Sequence, residues 1–124
     1  MKVGVIGLGR MGGGVCANII KKGYDTTVFD LSKQAMQRFE GEAKLAGSAE
    51  EVFQACDVTL LSLPGFPEVE AMTEKFLALG VKGKCVIDIS TSYPTSSRKI
   101  YDAFKAEGGD FLDAPLSGSP VAAA

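Results

Sequence analysis

Histidine is absent from the 124 residues, and that one absence removes Ser-His-Asp and Cys-His catalysis together with most metal chemistry, so no metal is expected. Cysteine is scarce. Cys16, Cys56 and Cys85 are odd in number and widely spaced, with no C-x-x-C pair, which argues against a disulfide framework or a zinc site and for reduced, mostly buried thiols in a cytoplasmic protein. No apolar run approaches the ~18 residues of a membrane-spanning helix. Arg10 interrupts the apolar run behind Lys2 without a small-residue cleavage pattern after it, so no secretory leader is expected. An excess of positive charge is missing too. Thirteen Lys and Arg stand against 15 Asp and Glu, for a formal charge of -2 and a pI of about 5.1. No bulk field recruits nucleic acid or an anionic membrane, and any anion must be held locally.

What is present is enough to fold. Hydrophobic residues make up 46% and charged residues 23%, a balance that can bury a core, and the length suits a single domain spanning residues 1–124. Glycine is the excess, with 15 residues against a usual share of ~7% and no collagen-like period. Seven of them fall between Gly4 and Gly23, which points to one glycine-dependent device near the start.

Short apolar runs alternate with helix-like segments. Lys2 to Leu8 reads as a strand buried on both faces. Met11 to Lys22 sets Met11, Val15, Ile19 and Ile20 on one helical face and stops at Gly23. Thr26 to Asp30 is a second strand, Ser32 caps a helix running to about Glu40, and Ala43 to Leu45 is a short third strand. Ser48 and Glu51 form a capping box for a helix ending near Ala55. Val58 to Leu63 is a strand closed by Pro64-Gly65. Pro67 opens the next helix, with Val69, Met72, Phe76 and Leu79 on one face. Cys85 to Ile89 is a fifth strand, Pro94 to Glu107 a helix ended by Gly108-Gly109, and Phe111-Leu112 a sixth strand reaching Asp113. This alternation implies right-handed βαβ units, and hence a Rossmann-type α/β fold: a doubly wound, mostly parallel sheet of about six strands in the order 3-2-1-4-5-6.

Gly7-Leu8-Gly9-Arg10-Met11-Gly12 is a G-x-G-x-x-G, a weak signal alone that gains weight from lying between the first strand and its helix. Gly7 allows the turn, Gly9 lacks the Cβ that would block a pyrophosphate, and Gly12 lets helix and sheet approach. Amides of the first helical turn then face the phosphates at the positive end of the helix. Asp30, 18 residues beyond Gly12, is placed to accept hydrogen bonds from an adenosine ribose and would repel a 2′-phosphate. Lys33 is the only nearby cation after Leu31 and Ser32, so NAD is preferred over NADP. Gly13 and Gly14 lie outside the three-glycine device and cost ~1 kcal/mol each relative to alanine; close packing against the sheet or a partner would account for them. The plainer reading is that the glycines only make turns and Asp30 only ends a strand.

These motifs, with Asn18 and Gly23, then Leu63-Pro64, Asp88-Ile89-Ser90-Thr91 and Asp113-Ala114-Pro115-Leu116-Ser117-Gly118, resemble those of the β-hydroxyacid (3-hydroxyisobutyrate) dehydrogenase family over essentially the whole chain. The resemblance implies that Gly7, Leu8, Gly9, Arg10, Met11, Gly12, Asp30 and Leu31 serve the adenosine diphosphate half of the cofactor. Leu63, Pro64, Val69 and Thr91 would line its nicotinamide end. Ser117, Gly118 and Ser119 would match the substrate loop, where a hydroxyl and backbone amides hold a carboxylate. Leu116 replaces the family's valine. Ser119 replaces its second glycine.

By the same resemblance no catalytic residue lies in this chain. The family's proton-transferring lysine and the helical carboxyl-terminal domain that carries it fall beyond Ala124, while Asp88 and Asp113 read as structural strand-end carboxylates. The implied function is the cofactor-binding domain of an enzyme that moves a hydride between NAD and a small 3-hydroxy acid or its semialdehyde; the chain alone is expected to bind without turnover. A homo-oligomer is compatible with this. Two alternatives stay open: a non-catalytic dinucleotide-binding module, and an NADP-dependent relative of the 6-phosphogluconate dehydrogenase or imine-reducing kind.

Overall fold

Six strands alternate with five helices in the computed structural model, which describes residues 1–90 and 94–114. Strands β1 (Lys2–Ile6), β2 (Asp25–Phe29), β3 (Lys44–Leu45), β4 (Val58–Leu61), β5 (Cys85–Asp88) and β6 (Asp110–Asp113) form one sheet, ordered β3-β2-β1-β4-β5-β6. Every pairing is parallel. Strand order and direction are those expected from the alternation of apolar runs. The chain winds outward from β1 to β3 and then returns to place β4 on the other side of β1, so the reversal of strand order falls between β1 and β4, where open α/β sheets form a crevice at their carboxyl ends.

Helices α1 (Arg10–Lys21) and α2 (Lys33–Gln37) cover one cluster of the core, built on Val5, Leu8, Cys16, Val28, Met36 and Phe39. Helices α3 (Ala49–Ala55), α4 (Phe66–Leu79) and α5 (Pro94–Ala106) cover the other, larger cluster. There the Phe53 and Phe76 rings stack with centroids 4.1 Å apart, and Phe104 tilts against Phe111. Burying such side chains contributes roughly 1.5–3 kcal/mol each, which is why helices this short hold their places.

Strands β1, β3, β4 and β5 are shorter than the apolar runs suggest, β2 lies one residue earlier and β6 is longer, but the ladders continue past the strand ends. The Gly7 amide donates to the Phe29 carbonyl (3.0 Å), Ser62 to Ile6 (2.9 Å) and Ile89 to Leu61 (2.9 Å). Three expectations about helices need correction. The face that α1 buries is Gly12, Gly13 and Cys16 rather than Met11 and Val15, which are only half-buried. Two glycines bring the helix backbone so close to the sheet that larger side chains are displaced to its flanks. A Cβ on Gly13 would lie 3.1 Å from the Leu8 carbonyl and 3.3 Å from the Arg38 guanidinium, which accounts for that glycine by packing.

Helix α2 ends at Gln37, not Glu40, because Phe39 turns into the core and its carbonyl accepts from Glu42 and Ala43. On α4 the buried residues are Val69, Thr73 and Phe76, while Leu79 is 43% exposed. Thr73 can occupy the core because its hydroxyl donates to the Val69 carbonyl at 2.9 Å. The expected capping box forms: Ser48 Oγ accepts from the Glu51 amide (3.1 Å), and Glu51 Oε2 accepts from the Gly47 amide (2.9 Å).

Candidate functional site

Because all six strands run the same way, the residues leaving β1, β2, β4 and β5 reach the same edge of the sheet. Leaving β1, Gly7 adopts φ +97°, and a Cβ there would strike the Ser62 carbonyl. Only glycine meets both conditions. A Cβ on Gly12 would strike the Gly7 carbonyl and come within 2.9 Å of Ser62 Cβ. The first and third glycines of the motif are thus fixed by contacts within the protein.

Gly9 is different. Its backbone is extended (φ -68°, ψ -161°), and a Cβ there would meet no heavy atom of the described residues within 4 Å. It is the N-cap of α1, with no side-chain cap and no acidic residue in the first turn. Open space therefore lies beside a helix start whose free amides no carboxylate of its own helix neutralises, which suits a pyrophosphate. Arg10 is exposed and Met11 half-buried at this opening. The bare backbone fits the diphosphate of a dinucleotide: its middle glycine leaves room that no fold contact requires.

Leaving β2, the Asp30 carboxylate spans two backbone amides. Its Oδ2 accepts from Leu8 at 2.7 Å and its Oδ1 from Ser32 at 2.8 Å. The first bond crosses from β2 to the middle of the glycine loop, so Asp30 pins that loop as well as ending a strand. An ionised carboxylate offers about four lone-pair sites, leaving capacity for a ribose hydroxyl. Next to it, Leu31 is 93% exposed, a large apolar surface directed into solvent at the mouth of the site. Ser32 Oγ then accepts from Ala35 (3.2 Å), capping α2.

Leaving β4, the chain turns at Leu63-Pro64, and Gly65 caps α4 without a side-chain bond. The Leu63 amide donates to Ser90 Oγ at 2.7 Å. That hydroxyl donates to the Leu61 carbonyl at 3.2 Å, and the Ser90 amide donates to Asp88 Oδ1 at 2.8 Å. Asp88 is fully buried and serves this strand-end role. The sequence did not single out Ser62, and it showed Ser90 only as a member of the Asp88-Ile89-Ser90-Thr91 motif, with no role of its own. A small hydroxyl residue after a buried strand is a common terminator, and only the fold reveals what each one touches.

Two expected cofactor residues need correction. Val69 has no exposed surface and packs in the larger core cluster, so its side chain cannot line an open site. Leu8 is 1% exposed, with its side chain in the smaller cluster and its amide bonded to Asp30; its part is structural. Thr91, Ser117, Gly118 and Ser119 lie outside the described residues. Among the described residues no group of three or more His, Cys, Asp or Glu side chains is placed to hold a metal ion, and no helix is long and apolar enough to cross a membrane. Cys16, Cys56 and Cys85 are free thiols. Burial pushes the Cys16 thiol up to about 12, a rise that Glu42 reinforces and Arg38 opposes, and burial raises Cys56 and Cys85 as well.

Comparison with known proteins agrees with this geometry. Residues 2–124 match the family described as the NAD binding domain of 6-phosphogluconate dehydrogenase. An NAD-dependent L-serine dehydrogenase of Pseudomonas aeruginosa is 38% identical over 99% of this chain and 43% of its own length. A 3-hydroxyisobutyrate dehydrogenase of the same organism is 38% identical over 94% of this chain and 40% of its own length. The solved Mycobacterium tuberculosis 3-hydroxyisobutyrate dehydrogenase with L-serine superposes with a TM-score of 0.88 at 28% identity, over 97% of this chain and 42% of that one. The chain spans less than half the length of these relatives. With the parallel sheet, the open glycine and the strand-end carboxylate all in register, the chain belongs to the family of NAD-binding domains typified by that of 6-phosphogluconate dehydrogenase.

Proposed function

We propose that this chain is the cofactor-binding domain of an NAD-dependent 3-hydroxyacid dehydrogenase, with its helical partner domain and proton-transferring lysine outside residues 1–124. The observation that carries the cofactor reading is Gly9, an uncapped helix start with free space beside its Cα. Amides of Arg10, Met11 and Gly12 would hold the diphosphate, Asp30 the adenosine ribose and Leu31 one side of the adenine. Leu63, Pro64 and Thr91 would border the nicotinamide. When bound, NAD supplies the hydride acceptor for the carbinol carbon of the substrate. Ser117, Gly118 and Ser119 would hold the carboxylate of a small 3-hydroxy acid.

NAD is favoured over NADP by charge. Asp30 would face a 2′-phosphate with like charge, and Lys33 is the adjacent exposed cation. Arg38, further along, sets its guanidinium 5.4 Å above the Phe39 ring and against Gly13. Three free thiols fit a reducing compartment, and a cytoplasmic location is part of this proposal.

Gly9→Ala tests the reading, because the extended backbone accepts alanine and no atom of the described residues lies in the way. The variant should lose at most about 1 kcal/mol of stability, the cost of alanine at an N-cap, while NADH affinity measured by fluorescence titration falls at least about tenfold, since the methyl occupies space needed by the diphosphate. Unchanged NADH binding by a folded Gly9→Ala chain would remove the diphosphate from this site.

A further inference from the structure

The turn after β4 touches both ends of the candidate site. Ser62 lies against the glycine loop, with its carbonyl where a Gly7 Cβ would be and its own Cβ 2.9 Å from where a Gly12 Cβ would be. The next residue, Leu63, hangs from Ser90 by a 2.7 Å bond between its amide and the Ser90 hydroxyl. Ser90 is held in turn by the Asp88 carboxylate at its amide and by the Leu61 carbonyl at its hydroxyl. Asp88 is fully buried and Ser90 is 4% exposed. One hydroxyl thus accepts from the turn and donates to the end of the strand that precedes it. Among the described residues, this bond to Ser90 is what ties the Leu63 amide to the core.

We propose that Ser90 is a positioning residue. Its hydroxyl fixes the height of the Leu63-Pro64 turn above the sheet, and through Ser62 it sets that turn relative to the glycine loop, so that the nicotinamide is seated at a defined distance from the diphosphate. This rests on the reading of the β4 exit as the nicotinamide end of the site. Removing the hydroxyl frees the Leu63 amide and lets the turn shift, whereas the glycine loop keeps its own contacts with Asp30 and Phe29. The loss is therefore confined to the nicotinamide half.

The test uses the 124-residue chain and two probes, NADH and ADP-ribose, the second of which lacks the nicotinamide. Calorimetric titration of Ser90→Ala should show NADH affinity reduced about five- to tenfold, the loss of roughly one hydrogen bond in positioning, with ADP-ribose affinity unchanged. Ser90→Thr, which keeps the hydroxyl, should restore NADH binding. If Ser90→Ala does not fold, the near-isosteric Ser90→Cys, a weaker acceptor, is read in its place and should show the same selective loss to a smaller extent. An equal fall for both probes, or no fall for NADH, overturns the role of Ser90 while leaving the cofactor site standing. A parent chain that binds ADP-ribose and NADH equally overturns the placement of the nicotinamide at this turn. A parent chain that binds neither probe overturns the cofactor reading itself.

Discussion

Asp30 holds the glycine loop and is proposed to hold the ribose, and a pair of substitutions can separate the two roles. Its carboxylate accepts from the Leu8 and Ser32 amides, and under the proposed function its charge would face the ribose hydroxyls. Leu8 is 1% exposed, so its amide has little access to water once Asp30 is gone. Leaving such a donor unpaired costs about 1–3 kcal/mol, and the exposed Ser32 bond adds less than about 1 kcal/mol. Asp30→Ala should therefore lower stability by about 2–3 kcal/mol, roughly 10 °C in melting temperature for a chain of this size. Asp30→Asn keeps one carbonyl oxygen for Leu8 and should lose only about 1 kcal/mol.

Both variants remove the charge, so both should lower the ratio of NAD to NADP affinity, by about tenfold for a charge pair partly screened by solvent. Differential scanning fluorimetry supplies the melting temperatures and calorimetry the two affinities. An unchanged melting temperature for Asp30→Ala would show that the bond to the glycine loop contributes nothing. Equal loss of NAD and NADP in both variants would take Asp30 away from the ribose.

Two further outcomes follow from burial. With the Cys16 thiol held up to about 12 in the folded chain and ionising near 9.0 when exposed, its contribution to stability is complete below pH 9 and is lost progressively as the pH rises toward 12. Melting temperatures should decline over that window, and Cys16→Ala should flatten part of the decline; an identical pH profile would refute it. Leu31→Ser changes a side chain that is 93% exposed, so the melting temperature should stay within about 2 °C, while NADH affinity falls about fivefold if the adenine buries about half of that leucine. Unaltered affinity would exclude Leu31 from the site.

Much of the fold was legible because a parallel sheet leaves local traces. Runs such as Val3–Ile6 and Cys85–Ile87 are apolar on both faces, and Ser32, Ser48 and the glycines after α1, α2, α4 and α5 punctuate them. The misread elements are those where a contact distant in sequence decided the outcome. Phe39 left its helix for the core, Thr73 took a buried position that an apolar residue was expected to fill, and Leu79 remained in solvent. Val69 illustrates the same limit at the site: a motif neighbour on a helix is visible as a spacing, but whether it points to the crevice or the core depends on how α4 packs.

The sequence alone determined the order and direction of the strands, the place of the glycine loop and the acid at the end of β2, because each follows from short-range rules of turn, cap and periodicity acting within a few residues. Only the tertiary structure decided that Asp30 grips the Leu8 amide, that Ser62 wedges against Gly7 and Gly12, and that Ser90 suspends Leu63. Those contacts join residues that the chain keeps far apart, and it is the side-by-side pairing of β1 with β2 and β4, and of β4 with β5, that brings them within hydrogen-bonding reach.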